Sequence, residues 1–281
     1  MKWICHSKTI DLSKRPLIMG IVNVTPDSFS GGIDSPQEAI QLAQRQLEEG
    51  ADLLDIGGES TRPGSDSISV QQELDRVMPI IQALKNLTDR PLSIDTQKEA
   101  VAREAIGAGV DIINHVSGSL DYGKMLSLLQ ENQAGYIGMH MKARPKTMQE
   151  QTGYGNVTEE VCASLLEIKN AFVQNGIQKE RLIFDPGIGF GKTPEQCILL
   201  MTHLKKMANQ LDCPILMGLS RKSWMKHCFN LDVSERDPLT ATASALLPFP
   251  EVAIHRVHDV GKTRNSLLLK GLLENREWEW N

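Results

Sequence analysis

The residues of this chain that could do chemistry recur at one kind of position, the end of a short apolar run. Asp95, Asn114 and Asp185 each follow such a run directly. Two carboxylates and a carboxamide can accept and donate several hydrogen bonds in one plane. That set suits the edge of a heterocycle such as an amino-pyrimidinone, while a pair of general bases is the competing use. For Asp95, capping of a helix is a further alternative, because Thr96 and Gln97 follow it at a predicted helix start.

A second set of side chains suits an anion. Arg62, Arg256 and His258 lie near the ends of apolar runs, and Asn23 ends the first run. Arginine forks bind phosphate oxygens in a bidentate manner, and a carboxamide oxygen can coordinate a hard cation such as magnesium. Together these residues suit a diphosphate with its metal ion. Surface ion pairs are the alternative for any one of them taken alone.

Two motifs near the later runs add candidates. Lys222, in the Ser-Arg-Lys sequence 220–222, could hydrogen-bond a substrate carbonyl or an anion, and nothing nearby indicates the desolvated setting of a Schiff base. The glycine-rich segment 185–192, DPGIGFGK, fits neither a P-loop nor a dinucleotide fingerprint. It favours close approach of the backbone to a flat ligand with Phe190 as an apolar wall, or else a tight turn without function. Lys192 and Arg221 could extend a cationic patch.

The apolar runs themselves predict the fold. Eight of them alternate with segments of helix-like spacing, the rhythm of a (β/α)8 barrel, whose strands open at their C-terminal ends onto one face. The runs cover residues 16–22, 51–56, 91–94, 110–113, 134–139, 181–184, 213–219 and 252–257. The predicted helices cover 36–49, 69–87, 97–107, 122–132, 157–175, 194–210, 237–247 and 259–274. We expect a single TIM barrel domain over 1–281, with a short N-terminal hairpin plugging its base.

Composition narrows the class of protein. The 281 residues are 41% hydrophobic and 23% charged, enough for a large core, and no run reaches the roughly 18 apolar residues of a membrane span. A net charge of -5 without basic runs argues against nucleic-acid binding. The N-terminal residues lack an apolar signal core, so a cytoplasmic location is expected. Five scattered cysteines without a CxxC pair predict free thiols rather than disulfides or a zinc site.

Two segments are unusually rich in Gly, Ser, Thr, Pro and Asp. They are residues 23–34, NVTPDSFSGGID, and residues 57–69, GGESTRPGSDSIS. Both follow predicted strands and would overhang the open face of the barrel. Mobile lids that exclude water are one interpretation, and ordinary solvated loops are the other.

The motifs, in order along nearly the whole chain, closely resemble those of the dihydropteroate synthase family, folate-pathway enzymes blocked by sulfonamide drugs. The matching strings are GIVNVTPDSFS (20–30), DIGGESTRPG (55–64), SIDT (93–96), IN (113–114), MHM with PKTMQ (139–149), DPGIGFGK (185–192), GLSRKS (218–223) and RVHDV (256–260). Eight matches in family order are far more specific than any one of them.

The resemblance implies a reaction, a metal ion and a set of site residues. 6-Hydroxymethyl-7,8-dihydropterin diphosphate would condense with p-aminobenzoate to give 7,8-dihydropteroate and diphosphate, by substitution with strong SN1 character. By analogy with the family, the pterin would be held by Asp95, Asn114, Asp185 and Lys222, and the magnesium ion by Asn23. The diphosphate would contact Thr61, Arg62, Arg256 and His258. The aminobenzoate would contact Arg62, Pro63, Phe190 and Ser223. Of these, Lys222, Arg62, Asp95 and Asp185 are the expected catalytic residues. Family likeness also suggests a homodimer, through the last helices.

The sequence departs from the family at two places. His115 stands where the family usually carries Asp, and we expect an effect behind the site rather than loss of activity, because Asn114 is retained. Leu239-Thr240-Ala241 replaces a segment in which glycine is common, which we interpret as local packing. Two alternatives remain open at this point, a pterin-binding methyltransferase and a non-catalytic pterin-binding paralogue.

Overall fold

The computed structural model describes residues 1–25 and 35–278. Within these residues the strands are β1 Lys2–Cys5, β2 Lys8–Asp11, β3 Leu17–Asn23, β4 Leu53–Gly57, β5 Leu92–Asp95, β6 Ile112–His115, β7 Gly135–Met139, β8 Leu182–Asp185, β9 Ile215–Met217 and β10 Val252–Val257. The helices are α1 Pro36–Glu48, α2 Val70–Leu87, α3 Glu99–Gly107, α4 Gly118–Asp121, α5 Gly123–Glu131, α6 Val157–Gln174, α7 Pro194–Thr202, α8 Leu204–Leu211, α9 Trp224–Phe229, α10 Arg236–Leu246 and α11 Val260–Leu273.

Strands β3 to β10 form a closed parallel barrel, in which each strand pairs with the next and β10 pairs with β3. These strands are buried on both faces, as parallel strands under helices must be, which explains their continuous apolar sequence. The (β/α)8 barrel predicted from the sequence is therefore confirmed. Each of its strands lies at one of the eight apolar runs.

The hairpin of β1 and β2 closes the N-terminal end of the barrel. The indole of Trp3 is buried with Cys5 and Leu12 in one cluster with inward-facing residues of the barrel strands. Its Nε1 donates a hydrogen bond of 3.1 Å to the carbonyl oxygen of Arg181, which directly precedes β8. The predicted plug is therefore present, and it leaves the opposite end of the barrel as the open one.

Helix boundaries follow local capping. Ser35 accepts a hydrogen bond from the backbone of Glu38 with Pro36 at the first helical position of α1, and Gly50 follows that helix at φ +101°. The helix predicted at 122–132 is α5, and the short helix α4 lies directly before it. The helix predicted at 194–210 breaks at His203 into α7 and α8.

The cysteines are free thiols, four of them buried and Cys228 exposed. In the part of the chain that the structure describes, no helix is both long enough and apolar enough to cross a bilayer.

Candidate active site

The carboxyl ends of the barrel strands surround a cleft of about 520 Å3. Every residue predicted for the site lines it: Asn23, Thr61, Arg62, Pro63, Asp95, Asn114, Asp185, Phe190, Lys222, Ser223, Arg256 and His258. A second cleft of about 620 Å3 contains none of them, so volume alone would not identify the site. The barrel thus brings together residues that lie up to 235 positions apart in the chain, from 23 to 258.

A buried ion network forms the floor of the cleft. Arg256 on β10 donates from Nε to Asp55 Oδ2 at 2.5 Å and from Nη2 to Asp95 Oδ2 at 2.6 Å. Asn114 Nδ2 donates to the same oxygen of Asp55 at 2.9 Å. The network joins β4, β5, β6 and β10 across the open end of the barrel. Asp95 does not cap a helix, because α3 begins four residues later, at Glu99, with Lys98 at its N-cap position.

The carboxylates of this network are buried and not all of their oxygens accept a hydrogen bond. Burial raises the pKa of Asp95 to about 7; the charge of Arg256 opposes this shift and that of Asp55 reinforces it. Oδ1 of Asp95 and Oδ1 of Asp55 are buried, and within the described residues neither has a hydrogen-bond partner. Asp95 lines the cleft, so a ligand with N–H groups would satisfy its free oxygen.

The opposite wall is built from β8 and the turn after β9. Asp185 Oδ1 accepts a hydrogen bond of 2.7 Å from the backbone of Gly187, and burial raises the pKa of this carboxyl. The Nζ of Lys222 lies 4.0 Å from the centre of the Phe190 ring. Burial lowers the pKa of Lys222 to about 8, opposed by Asp185. A flat ligand in the cleft would therefore meet a carboxylate, an ammonium donor and an aromatic face.

Lys192 does not join a cationic patch at the cleft. Its Nζ is buried and donates to the carbonyl oxygens of Gly187 and Phe190 at 3.0 Å, and it lies 3.0 Å from His140 Nδ1. Gly187 has φ +69°, and a Cβ there would lie 1.9 Å from the carbonyl oxygen of His140. The glycines and Lys192 thus shape the loop that presents Phe190.

The cationic end of the cleft lies at the tips of β9 and β10. His258 Nδ1 is 2.9 Å from Ser220 Oγ, and burial lowers the pKa of His258 well below its ordinary value, with Arg221 and Arg256 adding to the effect. The imidazole is therefore neutral at pH 7. Arg221 also lines the cleft, and its guanidinium forms a bidentate pair with Asp237 at 2.8 and 2.7 Å.

Comparison with known proteins identifies the family. The profile of the family described as pterin binding enzyme matches residues 19–258. The dihydropteroate synthase of Haemophilus influenzae is 41% identical over 270 residues, which cover 95% of this chain and 97% of that protein. The chain belongs to the dihydropteroate synthase family of pterin-binding enzymes.

Solved structures of dihydropteroate synthases agree with this assignment. The Yersinia pestis enzyme, in a sulfonamide drug complex, superposes with a TM-score of 0.92 at 37% identity, over 98% of this chain and 100% of its own. The Xanthomonas albilineans enzyme with 4-aminobenzoic acid gives 0.89 at 38% identity, over 97% and 98% of the two chains. These relatives are transferases, and they support the synthase over the methyltransferase considered from the sequence.

Two residues that build the cleft were not predicted from the sequence. Asp55 lies inside β4 rather than at its end, so a rule based on strand ends does not find it. Its signal was a carboxylate in an otherwise apolar strand, two residues before Gly57 and hence on the same inward face. Arg236 donates from Nη1 to the carbonyl oxygens of Arg221 (2.8 Å) and Lys222 (3.4 Å), and nothing in its sequence context indicates that role.

The departure at position 115 lies on the outer face of β6, away from the cleft. His115 is fully buried, with Nδ1 2.9 Å from Tyr136 Oη and Nε2 3.1 Å from Asp121 Oδ1. Burial lowers its pKa, against the opposing effect of Asp121, so the ring is neutral. Asn114, the next residue, faces the cleft. In the second departure, Thr240 is buried and its hydroxyl donates to the carbonyl oxygen of Arg236 at 2.9 Å, as expected of local packing.

The loop predicted at 23–34 is described only to Thr25, so its part in a lid lies outside the described residues. Asn23 lines the cleft at the end of β3. Its neighbour across the sheet is Gly57, where a Cβ would come within 2.9 Å of Asn23 Oδ1. Glycine at this position keeps the space around the carboxamide oxygen open.

We predict that Asp55→Ala destabilises the fold far more than loss of an exposed carboxylate. It would remove the oxygen that accepts from both Asn114 and Arg256 Nε, leaving Arg256 with Asp95 alone, and breaking a buried ion pair costs about 3–5 kcal/mol of unfolding free energy. Asp66→Ala, which removes an exposed partner of Lys146, is the control and is expected to change nothing measurable. Urea unfolding of both variants tests this, and equal stabilities would refute the role of the network.

Proposed function

We propose that this chain, acting as one pterin-binding domain over 1–281, condenses 6-hydroxymethyl-7,8-dihydropterin diphosphate with p-aminobenzoate. The products are 7,8-dihydropteroate and diphosphate, in folate biosynthesis. One observation carries the assignment of roles. A carboxylate-rich floor suited to a heterocycle and a cationic rim suited to a diphosphate meet in the same cleft.

The floor would hold the pterin ring. The carboxylates of Asp95 and Asp185 accept from ring N–H and amino groups, which supply the donors that the unpaired Asp95 Oδ1 lacks. Asn114 contributes a carboxamide fixed by Asp55, and Lys222 donates to the ring carbonyl. All four side chains stand on strand ends or the tight turn after β9, so the geometry is set before the ligand arrives.

The rim would hold the diphosphate. Arg62 and Arg256 supply guanidinium groups, and Thr61 and neutral His258 supply hydrogen bonds. Among the described residues no group of three or more His, Cys, Asp and Glu side chains is arranged to hold a metal ion. A magnesium ion bound by Asn23 Oδ1 with phosphate and water oxygens fits this donor set, because Mg2+ commonly takes few protein ligands at phosphate sites. When bound, the ion supplies positive charge to the leaving diphosphate.

The second substrate would enter beside the first. Phe190 and Pro63 provide apolar walls for the ring of p-aminobenzoate, with Arg62 and Ser223 as polar contacts. Lys222 lies against the same Phe190 ring, so the two substrates would share this wall.

The chain's residues favour departure of the leaving group before attack. Cationic side chains stabilise the charge that develops on the diphosphate oxygen, and the carboxylates under the ring stabilise positive charge on the pterin methylene carbon. The C–O bond breaks first, the arylamine nitrogen then forms the C–N bond, and the amine loses a proton. The 57–69 loop excludes water from the cation in this interval.

We predict that Lys222→Ala and Arg62→Ala each lower kcat/KM for diphosphate release by about a hundredfold, since each removes a charge from the reacting region. Lys226→Ala is the control, because this lysine lies four residues on and pairs with exposed Asp232. A release assay with p-aminobenzoate, beside isothermal titration with the pterin diphosphate, measures chemistry and binding separately. Parent-level activity in both variants would remove the site assignment, and binding without release by the parent chain would indicate a non-catalytic paralogue.

The order of bond breaking has its own test. If the C–O bond breaks first, single-turnover rates with ring-substituted anilines should depend only weakly on amine nucleophilicity. A linear rise of the rate with nucleophilicity would instead show that the amine takes part in bond breaking.

We predict a bell-shaped pH dependence of kcat/KM for the pterin diphosphate. Asp95, with its pKa raised to about 7, must lose its proton to accept from the ring, so the value rises with pH through that region. Lys222, with its pKa lowered to about 8, then loses the charge with which it donates, so the value falls above that pH. Lys222→Arg, if it keeps activity, should lose the alkaline fall. A flat profile between about pH 6 and about pH 9 would contradict both assignments.

We further propose a cytoplasmic homodimer formed through α10 and α11, which pack against each other. Leu246 and Leu273 are 78% and 76% exposed there, beside exposed Leu269 and Leu272. Large exposed apolar patches commonly mark interfaces.

Light scattering should give the mass of two chains for the parent and one for the variant combining Leu272→Glu with Leu273→Glu. Val173→Glu, at an exposed valine of α6, is the control, and a parent at 31.2 kDa would exclude the dimer.

A further inference from the structure

The loop between β4 and α2, residues 58–69, presents Thr61, Arg62 and Pro63 to the cleft. Its first part is anchored to the barrel. Glu59 is ion-paired with Lys98, whose Nζ also lies 2.6 Å from Oε2 of fully buried Glu73. The start of the loop is thus fixed to α2 and to the residue before α3.

The middle of the loop rests on a different segment, residues 142–147, which follow β7. Gly64 donates a backbone hydrogen bond of 3.0 Å to the carbonyl oxygen of Pro145. Asp66 and Lys146 are ion-paired at 2.7 Å, but their side chains are 80% and 70% exposed, and such pairs contribute little. Because Gly64 directly follows Arg62 and Pro63, the hydrogen bond to Pro145 helps to hold these two residues in place.

Arg144, the residue before Pro145, connects this segment to the barrel wall. Its Nη2 donates to Asp121 Oδ2 at 3.0 Å, and its Nη1 donates to Gln97 Oε1 at 3.1 Å. The side chain of Arg144 is 53% exposed, but that of Asp121 is only 9% exposed. Its other oxygen, Oδ1, accepts from Ser117 Oγ at 2.7 Å and lies 3.1 Å from Nε2 of buried His115. The guanidinium of Arg144 is thus held by a carboxylate that is itself fixed in place.

We infer that Arg144 is a positioning residue for the second substrate, linking Asp121 to Pro145 and thereby holding Arg62 and Pro63 over the cleft. This inference rests on the proposed function, in which that part of the loop contacts p-aminobenzoate. Loss of Arg144 leaves the strand-borne pterin contacts in place and loosens the loop contacts. Its effect falls on the KM for p-aminobenzoate and not on the affinity for the pterin diphosphate.

The chain provides a matched control in Lys124. Its Nζ also lies near Asp121 Oδ2, at 3.2 Å, but it stands on α5 and not in the segment that carries Pro145. Lys124→Ala and Arg144→Ala each remove one cation from the same carboxylate. Only the second breaks the connection to the loop.

Three measurements on Arg144→Ala, Arg144→Lys and Lys124→Ala test the inference. We expect Arg144→Ala to raise the KM for p-aminobenzoate about fivefold, with kcat and the calorimetric Kd for the pterin diphosphate near the parent values. Arg144→Lys should restore part of the loss, and Lys124→Ala should match the parent. Amide hydrogen exchange over residues 60–66, which include the Gly64 donor, should be faster in Arg144→Ala alone.

Several outcomes would overturn the inference. They are an unchanged KM for p-aminobenzoate in Arg144→Ala, equal rises in Arg144→Ala and Lys124→Ala, or a parallel loss of pterin diphosphate affinity. Unchanged exchange at 60–66 would overturn it independently of any activity. If the parent releases no diphosphate while exchange responds as expected, the proposed function fails and the connection from Arg144 to the loop stands.

Discussion

The structure of the cleft depends on one buried ion network, in which the guanidinium of Arg256 lies between the carboxylates of Asp55 and Asp95. Charges are costly to bury unless they are paired, and here the partners come from strands β10, β4 and β5. The last strand of the barrel is therefore tied to its second and third strands at the open end. The contacts that tie these strands together thus also build the floor of the cleft.

Not all carboxylate oxygens of this network accept a hydrogen bond within the described residues, and this bears on which ligand the cleft can hold. Asp55, Asp95 and Asp185 carry three negative charges when ionised, against two positive charges on Arg256 and Lys222, an excess of one carboxylate. The excess is consistent with the raised pKa of Asp95 and with its unpaired buried oxygen. A neutral heterocycle with several N–H donors would relieve both without bringing in another charge. Because an unpaired buried acceptor is costly, the site favours a ring that supplies these donors.

The site divides into a rigid part and an adjustable part. Asp95, Asn114 and Asp185 belong to strands buried on both faces, and their positions are fixed by the barrel. Arg62 and Pro63 stand on a loop anchored by ion pairs and backbone hydrogen bonds to other loops. A reaction with two substrates can use this difference. A preformed floor orients one substrate, while contacts on a loop can open to admit the other and release the product.

The sequence predicted the barrel and the strand-borne residues of the cleft by one simple rule, that the residue after each apolar run of a parallel strand lies at the open end. Thr61, Pro63 and Ser223, which lie outside the strands, were expected only from the resemblance to the family. Asp95, Asp185 and His258 follow that rule. The rule does not reach residues inside a strand, and so it missed Asp55. That Asp55 points inward follows only from its position two residues before Gly57, since side chains alternate along a strand. The same rule does not find contacts between loops, such as Gly64 with Pro145, because no periodicity relates residues in irregular segments. The break between α7 and α8 was missed because the apolar spacing continues through it.

The turn that carries Lys222 shows why such contacts accumulate around a site. Arg221 adopts φ +60°, a left-handed conformation that costs a residue with a side chain about 1 kcal/mol or more. A strained residue persists only where its surroundings hold it in place. Here the side chain of Arg221 is held by both oxygens of Asp237, and its carbonyl oxygen by Arg236. In this conformation Lys222 lies against Phe190 in the cleft while the guanidinium of Arg221 pairs with Asp237. The two adjacent cations are thereby held apart.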